Sequence, residues 1–143
     1  MELGVWSEKL LVRSCKFKVN NMEKENTVKF KSRQFAIDII NLYKGLVENQ
    51  KEYVLSKQVL RSGTSIGANI AEAEAGISKK DFLAKMYIAL KECCETEFWL
   101  DIMHETQYVE EKTFNGLMPK CAELKKMLGS ITKSTKESLG LPN

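Results

Sequence analysis

A chain of 143 residues, 43% hydrophobic and 29% charged with two prolines, has the size and composition of one soluble helical domain. No stretch reaches the roughly 20 consecutive apolar residues that a membrane-spanning helix needs. The net charge is +3, and residues 1–21 supply +2 of it through Lys9, Arg13, Lys16 and Lys18 against Glu2 and Glu8, so the rest is almost neutral, whereas a domain built mainly to hold nucleic acid is usually basic.

Residues 1–30 show no sustained hydrophobic period and read as an N-terminal extension, with the domain proper over 31–138. Met22 begins a polar run, Met-Glu-Lys-Glu-Asn, that suits a cytosolic start. The basic residues of the extension offer a targeting peptide as the alternative, against which Glu2 and Glu8 speak. From Ser32, a candidate N-cap, the residues Phe35, Ala36, Ile39, Ile40, Leu42, Tyr43, Leu46 and Val47 form one broad apolar face and predict an amphipathic helix to about Asn49.

A second helix is predicted from between Tyr53 and Ser56 to near Gly76. It is crowded with small residues. Glycine costs about 1 kcal/mol relative to alanine inside a helix, so Gly63 and Gly67 imply close approach of another backbone. Leu55, Val59, Ser62, Ile66, Ile70 and Ala73 share one face. Arg61, Ser65, Asn69 and Glu72 form a polar row on the other side.

Ser78-Lys-Lys-Asp81 resembles a capping box and opens a third helix to about Glu105. Its main apolar face holds Phe82, Leu83, Met86, Leu90, Cys93, Cys94 and Leu100. A second apolar set, Ala84, Ile88, Trp99 and Ile102, lies on the other side. One subunit has no use for two such faces, so Ile88, Trp99 and Ile102 are expected in an oligomer interface, with Trp99 foremost. A fourth helix is expected from Glu110 or Glu111, with Phe114, Leu117, Met118, Cys121, Leu124, Leu128 and Ile131 inward. Pro119 either kinks it or lies in the first turn of a restarted helix. Four helices with short connections and no strand period predict an all-α, antiparallel up-down-up-down four-helix bundle.

Catalytic sets are incomplete. The one histidine, His104, has no Glu-x-x-His partner for a dinuclear metal site. Glu92-x-x-Glu95, with Glu72 and Glu74, supplies half of a magnesium-binding carboxylate motif, but ion-paired or solvated carboxylates are the preferred account. Arg61 has no histidine near it in sequence, His104 lies nearly three turns beyond Cys94, and Ser62–Gly67 lacks the lysine of a phosphate-binding loop. No enzyme, cofactor or metal is expected. Cys15, Cys93, Cys94 and Cys121 contain no C-x-x-C pair and fit reduced thiols of a cytoplasmic protein. The polar row on helix two is expected to pair with Glu92 or Glu95 of helix three, making Arg61, Ser65, Asn69, Glu72, Glu92 and Glu95 a candidate polar cluster.

The stretches Arg61-Ser-Gly-Thr-Ser-Ile-Gly-Ala-Asn-Ile-Ala-Glu72, Lys80-Asp-Phe-Leu-Ala-Lys-Met-Tyr-Ile-Ala-Leu-Lys-Glu92 and Glu95-Thr-Glu-Phe-Trp-Leu100 resemble the bacterial four helix bundle proteins related to those encoded in 23S ribosomal RNA intervening sequences. The resemblance spans roughly residues 27–135. It implies a homopentamer with a central channel and offers no catalytic residues to transfer. A similar branch, the accessory proteins of diversity-generating retroelements, implies an alternative: binding to RNA or DNA and to a reverse transcriptase. Lys120, Lys125, Lys126, Lys133 and Lys136 are the candidate nucleic-acid contacts for it, although such a row is more often a solvated face. A self-assembling, non-enzymatic interaction protein is the preferred expectation.

Overall fold

The computed structural model describes residues 27–143; the expected extension, including Cys15, lies outside them but for its last few residues. Four helices follow in order: α1 (Val28–Gln50), α2 (Leu55–Glu74), α3 (Lys79–Glu105) and α4 (Glu111–Ser138). Among the described residues there is no strand. Consecutive helices pack side by side, α1 and α4 close the bundle loosely, and the diagonal pairs α1/α3 and α2/α4 do not meet. Loops of a few residues force each helix to run antiparallel to the last.

Helix α1 starts earlier than Ser32 suggests. Thr27 is the N-cap, its hydroxyl accepting from the Phe30 N–H at 3.2 Å. Ser32 is instead buried one turn inside, where its hydroxyl donates to the Lys29 carbonyl at 3.0 Å. A serine that bonds back to its own helix needs no role as a cap. At the other end Lys51 stops the helix in a left-handed conformation, φ 53°.

Helix α2 has no side-chain cap at Val54. Glu52 serves instead: Oε1 accepts from the N–H groups of Val54 and Leu55 at 3.0 and 2.9 Å, and Oε2 from Ser56 at 2.6 Å. The Ser56 hydroxyl returns a bond to the Glu52 carbonyl at 2.8 Å. Although partial burial alone raises a carboxyl pKa, these backbone donors and the Ser56 side chain hold Glu52 below its usual range.

The close approach implied by the two glycines is between α1 and α2. A Cβ on Gly63 would stand 2.8 Å from Ile39 Cγ1, and one on Gly67 3.3 Å from the Ser32 carbonyl oxygen. Around this contact Phe35, Ile39, Val59, Ile66, Ile70, Leu100, Leu124 and Leu128 fill the core. On α3 the Ser78 hydroxyl accepts from the Asp81 N–H at 3.2 Å. Cys94, expected on the inner face, is exposed, and Thr96 and Met103 take buried positions beside Cys93. Cys94 follows a buried residue directly, which in a helix turns it about 100° from the core. Helix α4 runs unbroken past Pro119. The carbonyl that would have accepted from residue 119 belongs to Asn115, and Asn115, Gly116 and Pro119 all lie on an exposed stretch where solvent can take its place.

Candidate interaction surface

Helices α2 and α3 pack along a polar seam. At its buried centre the Thr96 hydroxyl donates to Ser62 Oγ at 3.0 Å. Further along, Lys85 pairs with Glu72 at 2.7 Å. The six residues expected to cluster fall along this seam. Ser65 Oγ donates to the Arg61 carbonyl and Asn69 Nδ2 to the Ser65 carbonyl, at 2.6 and 2.8 Å, so both are partly satisfied within α2. Burial, and after it the charge of Glu95, raise the Glu92 pKa above the usual carboxylate range, while Arg61 pulls it back. Arg61 and Glu92 therefore sense each other across the seam, but no ion pair closes between them among the described residues.

The apolar residues assigned to an interface sit against this seam. Ile88 is 40% exposed, and Trp99 and Ile102 are half-buried. Trp99 leans on the core, and its indole N–H donates to Glu95 Oε1 at 3.1 Å. Phe98, which the sequence reading left out, is the most exposed residue of this group at 55%. Its ring meets Trp99 edge-on with centroids 5.1 Å apart. Ala84, Ile88, Lys91, Glu95, Phe98 and Ile102 recur three or four residues apart and make one outward stripe along α3. The signal for Phe98 was its position: one turn from Glu95 and Ile102, on the side away from Cys93.

The lysines of α4 divide. Lys120 pairs with Asp38 at 2.7 Å and Lys125 with Glu97 at 2.6 Å. The Lys136 ammonium stands 5.1 Å from the Tyr87 ring centroid. Lys126 and Lys133 are exposed and enter no ion pair among the described residues. The loose α1/α4 seam holds a groove of about 710 Å³ floored by Leu42, Leu46, Val109 and Leu117. Its walls include Gly45 and Gly116, and the Asp38–Lys120 pair lies along it.

The thiols lie elsewhere. Cys121 Sγ donates to the Cys93 carbonyl at 3.5 Å across the α3/α4 contact. Hydrogen bonding between the two side chains, together with burial, pushes the Cys93 thiol far above its ordinary range, so it stays protonated. Among the described residues no group of three or more histidine, cysteine, aspartate or glutamate side chains is placed to hold a metal ion. No helix among them is long and apolar enough to cross a membrane.

Comparison with known proteins finds a family and solved structures. The family described as 23S rRNA-intervening sequence protein matches residues 24–130. A crystal structure at 1.70 Å of a protein with unknown function from the S23 ribosomal protein family, from Bacteroides thetaiotaomicron VPI-5482, is 52% identical; the match covers 75% of this chain and 99% of that one with a TM-score of 0.74. None of the curated proteins matches.

Proposed function

Since the chain belongs to the 23S rRNA-intervening sequence protein family, we propose that it is a non-enzymatic, self-assembling bundle that closes as a homopentamer and serves as an interaction scaffold in the cytoplasm. The observation that carries this reading is the outward stripe of α3, where Phe98 and Ile88 keep 55% and 40% of their surface in solvent beside the half-buried Trp99. Aromatic area of this kind stabilises little in water and much when a partner covers it. The carboxylates Glu92 and Glu95 sit on the same stretch and supply polar groups beside the apolar residues. Five copies is the number implied by the family resemblance. Light scattering at micromolar concentration tests the reading: a mass five times the 16.3 kDa of the chain is expected, and a monomer overturns it.

A second reading, a nucleic-acid-binding accessory protein of a reverse transcriptase or of a ribosomal RNA element, is favoured by Lys126 and Lys133, which enter no ion pair among the described residues and lie on the exposed side of α4. Phosphate contacts are strongest at low salt. Absence of binding to RNA and DNA there removes this reading, and loss of binding in Lys126→Glu/Lys133→Glu supports it.

A further inference from the structure

The edge where α1 meets α4 is open along most of its length. Near the start of α1 a hollow of about 340 Å³ lies between Phe30, Gln34 and Phe35 on one side and Glu123 and Leu124 on the other. Lys120 lines both this hollow and the 710 Å³ groove, so the two follow one another on the same seam. Gly45 and Gly116 stand on the groove walls, where larger residues would narrow it. Asn41, Asn49 and Gln107 line it as well. A carboxamide both donates and accepts, which is what an added peptide backbone asks of its surroundings. The charges of the seam are largely settled within it, Asp38 with Lys120 and Lys31 with Glu123. Glu110 is the acidic lining residue that enters no ion pair among the described residues.

The part of the chain that leads into this seam is apolar and basic. Residues 5–17 carry Val5, Trp6, Leu10, Leu11, Val12 and Phe17, with Lys9, Arg13 and Lys16 against Glu8. The family match begins at residue 24, so this stretch lies outside what the family shares. The chain enters the bundle at Thr27, the N-cap of α1, three residues before Phe30 and the hollow. Leu42, on the floor of the groove, lies about 22 Å further along α1. Residues 18–26 can span up to about 30 Å. The apolar residues that precede them are therefore within reach of both the hollow and the groove.

We infer that residues 5–17 lie back on the α1/α4 seam of their own molecule, with apolar side chains over the half-buried Phe30 and Leu42 and a basic one beside Glu110. Attachment selects this occupant. A short tether holds a segment at an effective concentration of roughly millimolar, so a contact too weak to capture a free peptide still closes. Burial of apolar area supplies most of the gain, because Glu110 alone offers a charge that the seam has not already paired. The face concerned is not the one proposed for self-association: α1 and α3 are diagonal in the bundle and do not meet. The inference stands or falls separately from that reading.

Trp6 fluorescence tests it. The full chain has two tryptophans, and Trp99→Phe leaves Trp6 as the only one; circular dichroism checks that this chain and each variant of it keep their helices. Trp6 is expected to emit at the blue-shifted wavelength of a covered indole. Gly116→Arg and Gly45→Arg, made separately in that chain, each put a long basic side chain into the groove. Both positions have room for it: a Cβ meets nothing within 4 Å at Gly116, and only the Asn49 side chain at 3.8 Å at Gly45. Either substitution is expected to shift the emission to that of tryptophan in water. Emission that is already water-like before the substitutions overturns the inference. Covered emission that neither substitution shifts places Trp6 away from this seam and overturns it too. Covered emission that turns water-like on dilution of the chain places the segment on another copy, with the same result.

Discussion

Thr96 and Ser62 share a 3.0 Å hydrogen bond in the closed interior between α2 and α3, with neither side chain reaching solvent. Each hydroxyl carries one proton and has a second acceptor on its own helix, the Glu92 carbonyl 2.7 Å from Thr96 Oγ1 and the Val59 carbonyl 3.4 Å from Ser62 Oγ, so the three contacts share two protons. A buried polar pair of this kind fixes how two helices slide against each other more than it adds stability. Thr96→Val is expected to cost about 1 kcal/mol, because the Ser62 hydroxyl loses a partner, while Ser62→Ala/Thr96→Val together cost less than the sum of the singles. Urea denaturation of the four proteins in this cycle measures the coupling.

The cap on α2 ties stability to acidity. Glu52 has a folded pKa below its unfolded value, so its contribution is complete above the unfolded pKa and disappears as pH falls through the folded one. Glu52→Gln is expected to lose about 1 kcal/mol at pH 7, the usual worth of a helix cap. Below the folded pKa, where the wild-type carboxylate is itself protonated, the two proteins converge. Chemical denaturation at several pH values follows the gap as it closes.

Glu92 has the opposite sign. Its folded pKa is raised, so ionisation costs the folded chain stability and protonation restores it. In a Phe98→Asp background, chosen to remove association, Glu92→Gln is therefore expected to stabilise the chain at pH 7, with a gain that shrinks as the pH falls through the raised folded pKa and is gone below the unfolded one. Thermal melts across that range decide it; a loss at pH 7 would show that the Arg61 attraction outweighs burial.

Glycines in this chain divide into two kinds, which alanine tells apart. At Gly63 an added methyl group collides with Ile39, and Gly63→Ala is expected to cost roughly 1–3 kcal/mol. Ile39→Ala removes both colliding carbons, so Gly63→Ala/Ile39→Ala together are expected to cost less than the sum of the singles. At Gly116 and Gly129 a Cβ meets nothing within 4 Å, and alanine there is expected to gain about 0.5–1 kcal/mol from helix propensity alone. Urea midpoints of the single and double variants check both halves.

What was legible in the sequence follows from periodicity. The four helices, their order and most of the inner faces appear as three- and four-residue recurrences, and Gly63 and Gly67 announced a close helix contact. Chain ends of helices were less legible. Lys51 stops α1 in a left-handed conformation without a glycine to mark it, and Glu52 caps α2 from outside the usual N-cap position. Ser32 carries the residue type of a cap and the environment of a core. On the candidate surface, sequence grouped Arg61, Ser65, Asn69, Glu72, Glu92 and Glu95 as one cluster; the structure relates Arg61 to Glu92 and bonds Ser65 and Asn69 within α2, distinctions of distance that spacing does not carry. Phe98 escaped notice for the same reason, since its neighbour Trp99 is the larger aromatic and drew the assignment.

The weak meeting of α1 with α4 has a consequence for how the molecule comes to exist. Every strong helix contact joins neighbours in sequence, α1 to α2, α2 to α3 and α3 to α4. Native structure of that kind needs few distant encounters, and chains built on near-neighbour pairings reach it quickly. During synthesis the first hairpin can settle with Ile39 against Gly63 before the residues of α4 have been made. The last helix then adds to a surface already waiting, and its few contacts with α1, such as Lys120 with Asp38, close last.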